Sequence, residues 1–149
     1  MIYTLSNVLA QSKLDNPVVY RFIFTDDKWN NHELMRDVTM RLPRCTHTIR
    51  KGFTWDLASI PRIFWGFIAP FGRANFAYLI HDDGYKLVGH LSGAVYTRKE
   101  IDDIMLDYAK ALMGTKRWSL RNVQIYTCYI AVRAFGWIIW NKNKKRLVR

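Results

Sequence analysis

His81, Asp82 and Tyr85 carry a spacing from which proton-transfer chemistry could be built. The chain from Ala74 to about Val88 holds no proline and one glycine, which predicts a helix. On that helix Tyr85 shares the His81 face, four residues on, and Asp82 points about 100° away. A His and an Asp so placed can serve two adjoining sites, one taking a proton and one gripping a cation. Phe76 to Ile80 ahead of them are apolar, so His81 emerges from a buried face and needs a partner to fix its tautomer. Asp102 or Asp103, in the first turn of a following helix, supplies that partner if the two helices pack antiparallel. Two readings stand on this chemistry: a His–Asp staple between helices, or a His general base oriented by an Asp.

Two further groups of residues offer chemistry. Thr54-Trp55-Asp56-Leu57-Ala58-Ser59 reads either as a turn whose Asp and Ser bond their own backbone or as a loop presenting oxygens to a hard cation. In the second reading the Asp56 carboxylate and main-chain carbonyls join Asp82 around calcium. The chain end carries Lys142, Lys144, Lys145, Arg146 and Arg149, a cluster drawn to nucleic acid, anionic lipid or an acidic protein surface. It reads equally as a solubility tail.

The elements that must position these groups follow from pattern. Val18–Phe24 is β-branched and aromatic and predicts a strand ending at Asp26-Asp27. Asp37–Leu42 alternates polar with apolar, and Thr46–Ile49 is a second short strand candidate. Gly52 to Gly72, punctuated by Pro61, Gly66 and Pro70, predicts a long irregular connection. Thr97-Arg98-Lys99-Glu100 is a capping box opening a helix that buries Ile101, Ile104, Met105, Tyr108 and Leu112 and stops at Gly114. A third helix is expected from about Arg117 to Trp140, with Leu120, Val123, Thr127, Ile130, Ala134 and Trp137 facing the core and Arg133 on another face. The expected class is α+β: a small N-terminal antiparallel sheet followed by three helices, two of them an antiparallel pair. One domain spans 1–140, with a β-rich part over 1–50, a functional loop over 51–72 and a helical part over 73–140. A basic tail follows over 141–149.

Composition sets the outer limits. The 149 residues are 50% hydrophobic and 15% aromatic, enough for a packed core. The net charge of +11 is uneven: residues 108–149 hold ten basic side chains and no acidic one. Cys45 and Cys128 cannot form a disulfide scaffold and lack the paired spacing of a zinc site. No run of about 18 uninterrupted apolar residues and no secretory signal pattern is seen, so neither a membrane-spanning helix nor export is expected.

The order of these motifs is similar to two families. Gly52-Phe-Thr-Trp-Asp56-Leu-Ala-Ser-Ile-Pro61-Arg62, Trp65, His81-Asp82-x-x-Tyr85, Arg98-x-x-x-Asp102 and Ala131-Val-Arg133-Ala-Phe-Gly136 resemble the phage and prophage domain-of-unknown-function family 1353. His81-Asp82-Asp83-Gly84-Tyr85, with Pro70-Phe71-Gly72 before it and Arg98…Asp102 after it, resembles the HDxxY helix of prokaryotic phospholipase A2. That second resemblance implies His81 as the base, Asp102 as its orienting partner and Tyr85 as a support. It also implies calcium held by Asp82, Asp56 and the Leu57 carbonyl. Leu57 stands where those enzymes favour Gly, and Ala58 where they tend to carry a disulfide Cys. The expected function is a phage protein with a calcium-dependent ester (phospholipid) hydrolase site acting during infection. The alternative is a non-enzymatic virion or tail-associated component in which the His–Asp pair is architectural. Partners are then other particle proteins, an anionic membrane or nucleic acid, in the virion or at the host cytoplasm and inner-membrane face.

Overall fold

The computed structural model describes residues 2–4, 19–25, 28–55, 75–113 and 120–148. The β-rich part comes first. Strands β1 (Ile2–Thr4), β2 (Val19–Thr25), β3 (Lys28–Leu34) and β6 (Thr54–Trp55) form one antiparallel sheet in the order β1-β2-β3-β6. Strands β4 (Val38–Arg41) and β5 (Thr46–Ile49) pair as a separate hairpin, Val38 opposite Ile49. The alternation read in β4 is realised: Val38 and Met40 are buried and Arg41 is exposed. β3 was not expected, because Lys-Trp-Asn-Asn-His-Glu-Leu has little strand character. Its pairing to β2 on one side and β6 on the other makes it a strand. β6 likewise lies at the start of the segment read as an irregular loop.

Helix α1 (Asn75–Lys86) is joined to α2 (Arg98–Met113) through a tight hairpin of β7 (His90–Leu91) and β8 (Ala94–Val95). Thr97 caps α2 as the sequence predicts: its N–H donates to Glu100 Oε2 (2.7 Å) and its Oγ1 accepts from the Glu100 amide (3.3 Å). Gly84 of α1 faces Ile101 of α2, and Phe76 meets Tyr108 edge-on at 6.2 Å, so the two helices run antiparallel. Gly84 permits that approach; a Cβ there would lie 2.8 Å from Ile101. Ile101, Ile104, Met105, Tyr108 and Leu112 are all buried. Residues 114–119, including the expected stop at Gly114, lie outside the described residues.

Helix α3 (Leu120–Leu147) departs from expectation twice. It continues through Asn141–Leu147, so most of the basic segment read as a tail is helical. Its core-facing stripe is also in a different phase. Val123, Ile130 and Trp137 are 62%, 64% and 53% exposed, whereas Ile125, Cys128, Val132 and Gly136 are buried. The helix is apolar around most of its circumference here, so spacing alone could not select the face. Two local features select it. Arg133 reaches a buried carboxylate on α2, and Gly136 seats the helix on Tyr85, whose Oη would lie 2.3 Å from a Cβ at that position.

Candidate functional site

Asp102 is fully buried in the first turn of α2 and collects donors from both neighbouring helices. Its Oδ1 accepts from His81 Nε2 at 3.1 Å and from Tyr85 Oη at 2.8 Å, both on α1. Its Oδ2 accepts from Arg133 of α3 at 2.8 Å, with the Arg98 guanidinium 3.6 Å away. Of the two aspartates open to the sequence reading, Asp102 is therefore the partner of His81. Asp103 instead accepts from Lys99 (2.6 Å) and from Tyr129 Oη (2.7 Å). Arg98 donates to the carbonyls of Val132 and Arg133, fixing the start of α2 to the middle of α3.

The His81 ring is 2% exposed and tilts against Tyr85 at 4.1 Å between centroids. With Nε2 on Asp102, Nδ1 lies 3.5 Å from Asp82 Oδ1. Burial disfavours the imidazolium, but the carboxylates of Asp102 and Asp82 outweigh it and raise His81 above its usual 6.5. Burial also opposes ionisation of Asp102; the His81 hydrogen bond and charge, then Arg133 and Tyr85, outweigh it and hold Asp102 below 3.8. Burial first, and then the Asp102 charge, raise Tyr85 well above its usual 10. The arrangement keeps Asp102 ionised and His81 oriented, with one ring nitrogen committed and the other on the Asp82 side.

Asp82, 7% exposed, is the one described member of the calcium set implied by the phospholipase resemblance. Asp56 and Leu57 lie outside the described residues. Asp83 and Asp102 are engaged with ring and guanidinium donors. Among the described residues no cluster of three or more His, Cys, Asp or Glu side chains stands ready for a metal. Calcium takes six to eight oxygens, so the described residues alone do not complete such a site.

Two contributions escaped the sequence reading. Arg133, expected on another face, reaches Asp102 instead; Ala134, expected in the core, is exposed, and Gly136 close by in sequence is the signal of a close helix approach. The second is a His–Asp pair on the other flank of α1: His47 Nε2 lies 2.7 Å from Asp83 Oδ2. Nothing in local spacing joins residues 36 apart, although a third consecutive ionisable residue in an apolar helix already requires a partner.

The basic cluster is only partly described, since Arg149 lies outside. Lys142, Lys144, Lys145 and Arg146 are carried on the last turns of α3. Trp137, Ile138, Lys142, Lys144, Lys145 and Val148 line an open groove of about 810 Å³ there. Among the described residues one stretch, Val123–Leu147, is long and apolar enough to cross a membrane by length and composition. The expectation of no such helix therefore does not hold on those two criteria. The same helix is docked on the protein through Arg133 and through Asn143, which donates to the Tyr85 carbonyl at 3.0 Å.

Most of the helix-borne cluster, His81, Tyr85 and Asp102 without Arg133, falls within a region matched by one family model. The chain belongs to the family described as "Protein of unknown function (DUF1353)", whose model matches residues 32–132. That span includes His47, His81, Asp82, Asp83, Tyr85, Arg98 and Asp102. Comparison with curated proteins and with solved structures returns no match.

Proposed function

We propose that this is a phage or prophage protein with a phospholipase A2-like hydrolase site, in which His81 is the general base acting on an ester of the phospholipid class. One observation carries the reading: His81 Nε2 and Tyr85 Oη share Asp102 Oδ1, while His81 Nδ1 remains on the Asp82 side. A base needs that division, with one nitrogen held and one able to take a proton. In the proposed reaction a water gives its proton to Nδ1 as its oxygen attacks the ester carbonyl. The imidazolium, stabilised by Asp102, then returns the proton to the leaving alkoxide. Asp82, with Asp56 and the Leu57 carbonyl, would hold calcium, which when bound supplies polarisation of the carbonyl. The exposed apolar and aromatic residues of α3 and its terminal lysines would rest on an anionic membrane surface.

Hydrolysis of phospholipid vesicles with and without added calcium tests the proposal. Wild type should release fatty acid, and His81→Gln should lower the rate by at least ~100-fold in a chain that still folds. Asp82→Asn should remove the calcium dependence. Equal rates in wild type and His81→Gln overturn the mechanism.

A second reading is favoured by the clamp itself. Asp102 ties α1, α2 and α3 together through His81, Tyr85 and Arg133, and His81 is almost fully buried. In that reading the cluster is architectural and the protein is a virion or tail-associated component that docks α3 on another particle protein. Absence of hydrolysis together with a large loss of stability in His81→Gln would support it.

A further inference from the structure

His47 is bonded at both ring nitrogens. Its Nε2 lies 2.7 Å from Asp83 Oδ2, and its Nδ1 lies 2.8 Å from Ser92 Oγ. The three residues come from three elements: His47 from β5, Asp83 from α1 and Ser92 from the β7–β8 turn. His47 and Asp83 are 7% and 6% exposed, whereas Ser92 faces solvent. With the Asp83 carboxylate accepting from Nε2–H, the Nδ1 lone pair accepts the Ser92 hydroxyl proton. This is the order of groups that activates a nucleophilic serine: an oriented base within hydrogen-bond reach of an exposed hydroxyl.

The turn that presents Ser92 is strained and firmly held. Ser92 has φ +43°, a left-handed conformation that residues with a Cβ rarely adopt. Two-residue hairpin turns of this kind favour Asn-Gly, so serine is an unusual occupant. A nucleophile raised on a tight, strained turn is a recurring hydrolase device. The hairpin is also held by Arg44, which donates to the Val95 carbonyl at 2.8 Å, and by Cys45 Sγ, 3.3 Å from the Leu91 carbonyl. Gly93 follows with φ +84°, and a Cβ there would meet nothing within 4 Å, so the approach to Ser92 from that side is open.

We propose that Ser92, His47 and Asp83 form a second reactive site, in which Ser92 accepts the acyl group of a small carboxylic ester. Ser92 Oγ bonds to the carbonyl carbon as its proton passes to His47 Nδ1. The bond from that carbon to the leaving oxygen then breaks, and the leaving oxygen takes the proton from His47. Water reverses the sequence, giving its proton to Nδ1, releasing the carboxylic acid and restoring the Ser92 hydroxyl. Asp83 is a positioning residue that holds the His47 tautomer and stabilises the imidazolium. The site is independent of the His81 cluster on the other flank of α1.

The test is incubation of the full chain with p-nitrophenyl acetate, reading p-nitrophenolate release and locating the acetyl group by peptide mass spectrometry. The expected result is acetylation at Ser92 at least ~100-fold faster than at other serines of the same chain. Asp83→Asn should lower the acetylation rate constant without weakening binding of the ester, a split that a merely structural loss would not give. Ser92→Gly, which suits the positive φ, should abolish the adduct. No adduct at Ser92 in wild type, or p-nitrophenolate release undiminished in Ser92→Gly, overturns the proposal. Release lost in His81→Gln but retained in Ser92→Gly assigns esterase activity to the first site and likewise overturns this one.

Discussion

At the scale of single residues, the His81–Asp102 pair links protonation to folding in two opposite directions. His81 titrates above 6.5 in the folded chain, so its contribution is full below about pH 6.5 and is lost as the pH climbs through the raised value. Asp102 titrates below 3.8, so its contribution is full above that pH and is lost on acidification through the lowered value. Denaturant midpoints followed against pH should therefore fall on the alkaline side in wild type, and that fall should flatten in His81→Gln. If His81 is a base, the rate rises over the same alkaline interval, because only neutral imidazole takes a proton. Replacing Arg133 with Met should cost about 1.5–3 kcal/mol, the range for a hydrogen bond to a charged group, read as a lower urea midpoint at constant slope. The His81–Asp102–Tyr85 part was legible in sequence because its spacing lies within one helix and a capping box fixed where the next began. The Arg133 and His47 contributions were not legible, since each joins elements that only packing brings together.

At the scale of elements, α3 shows how little an apolar sequence decides by itself. The helix-breaking Gly89 and the capping box at Thr97 set α1 and α2 to within a few residues of their observed bounds, and the alternation in β4 marked its buried face. For α3, several faces were apolar enough to be buried, and a glycine and an arginine made the choice. Gly136→Ala tests this. Alanine favours the helix by about 1 kcal/mol, but the new Cβ meets Tyr85 Oη, and overpacking of that kind costs about 1–3 kcal/mol. The expected outcome is a net loss of stability that shrinks in a Tyr85→Phe background, where the closest atom is gone. Equal effects in both backgrounds would place the contact elsewhere. β3 shows the converse: a polar heptapeptide becomes a strand because its two neighbours supply hydrogen bonds along both edges.

At the scale of the whole molecule, charge and apolar exposure among the described residues gather on α3. Among the described residues, most of the large exposed apolar side chains belong to α3 and Val148, and Lys142, Lys144, Lys145 and Arg146 follow on the same helix. If this helix rests on an anionic surface, each basic residue near it contributes about 1 kcal/mol at moderate ionic strength. Lys144→Glu combined with Lys145→Glu should then weaken binding to vesicles containing phosphatidylserine, and added salt should do the same to wild type. Binding unaffected by either change, or binding to duplex DNA alone, would remove the membrane from the reading. One feature of α1 reaches beyond any single site. Phe76 through Tyr85 are buried without a break, yet His81, Asp82 and Asp83 stand in their midst. A helix covered on every side has no solvent face on which an altered charge could be tolerated. Substitutions at 81 and 83 therefore lose stability that an answering change elsewhere restores, so among related sequences position 83 should covary with 47, and position 81 with 102 and 133.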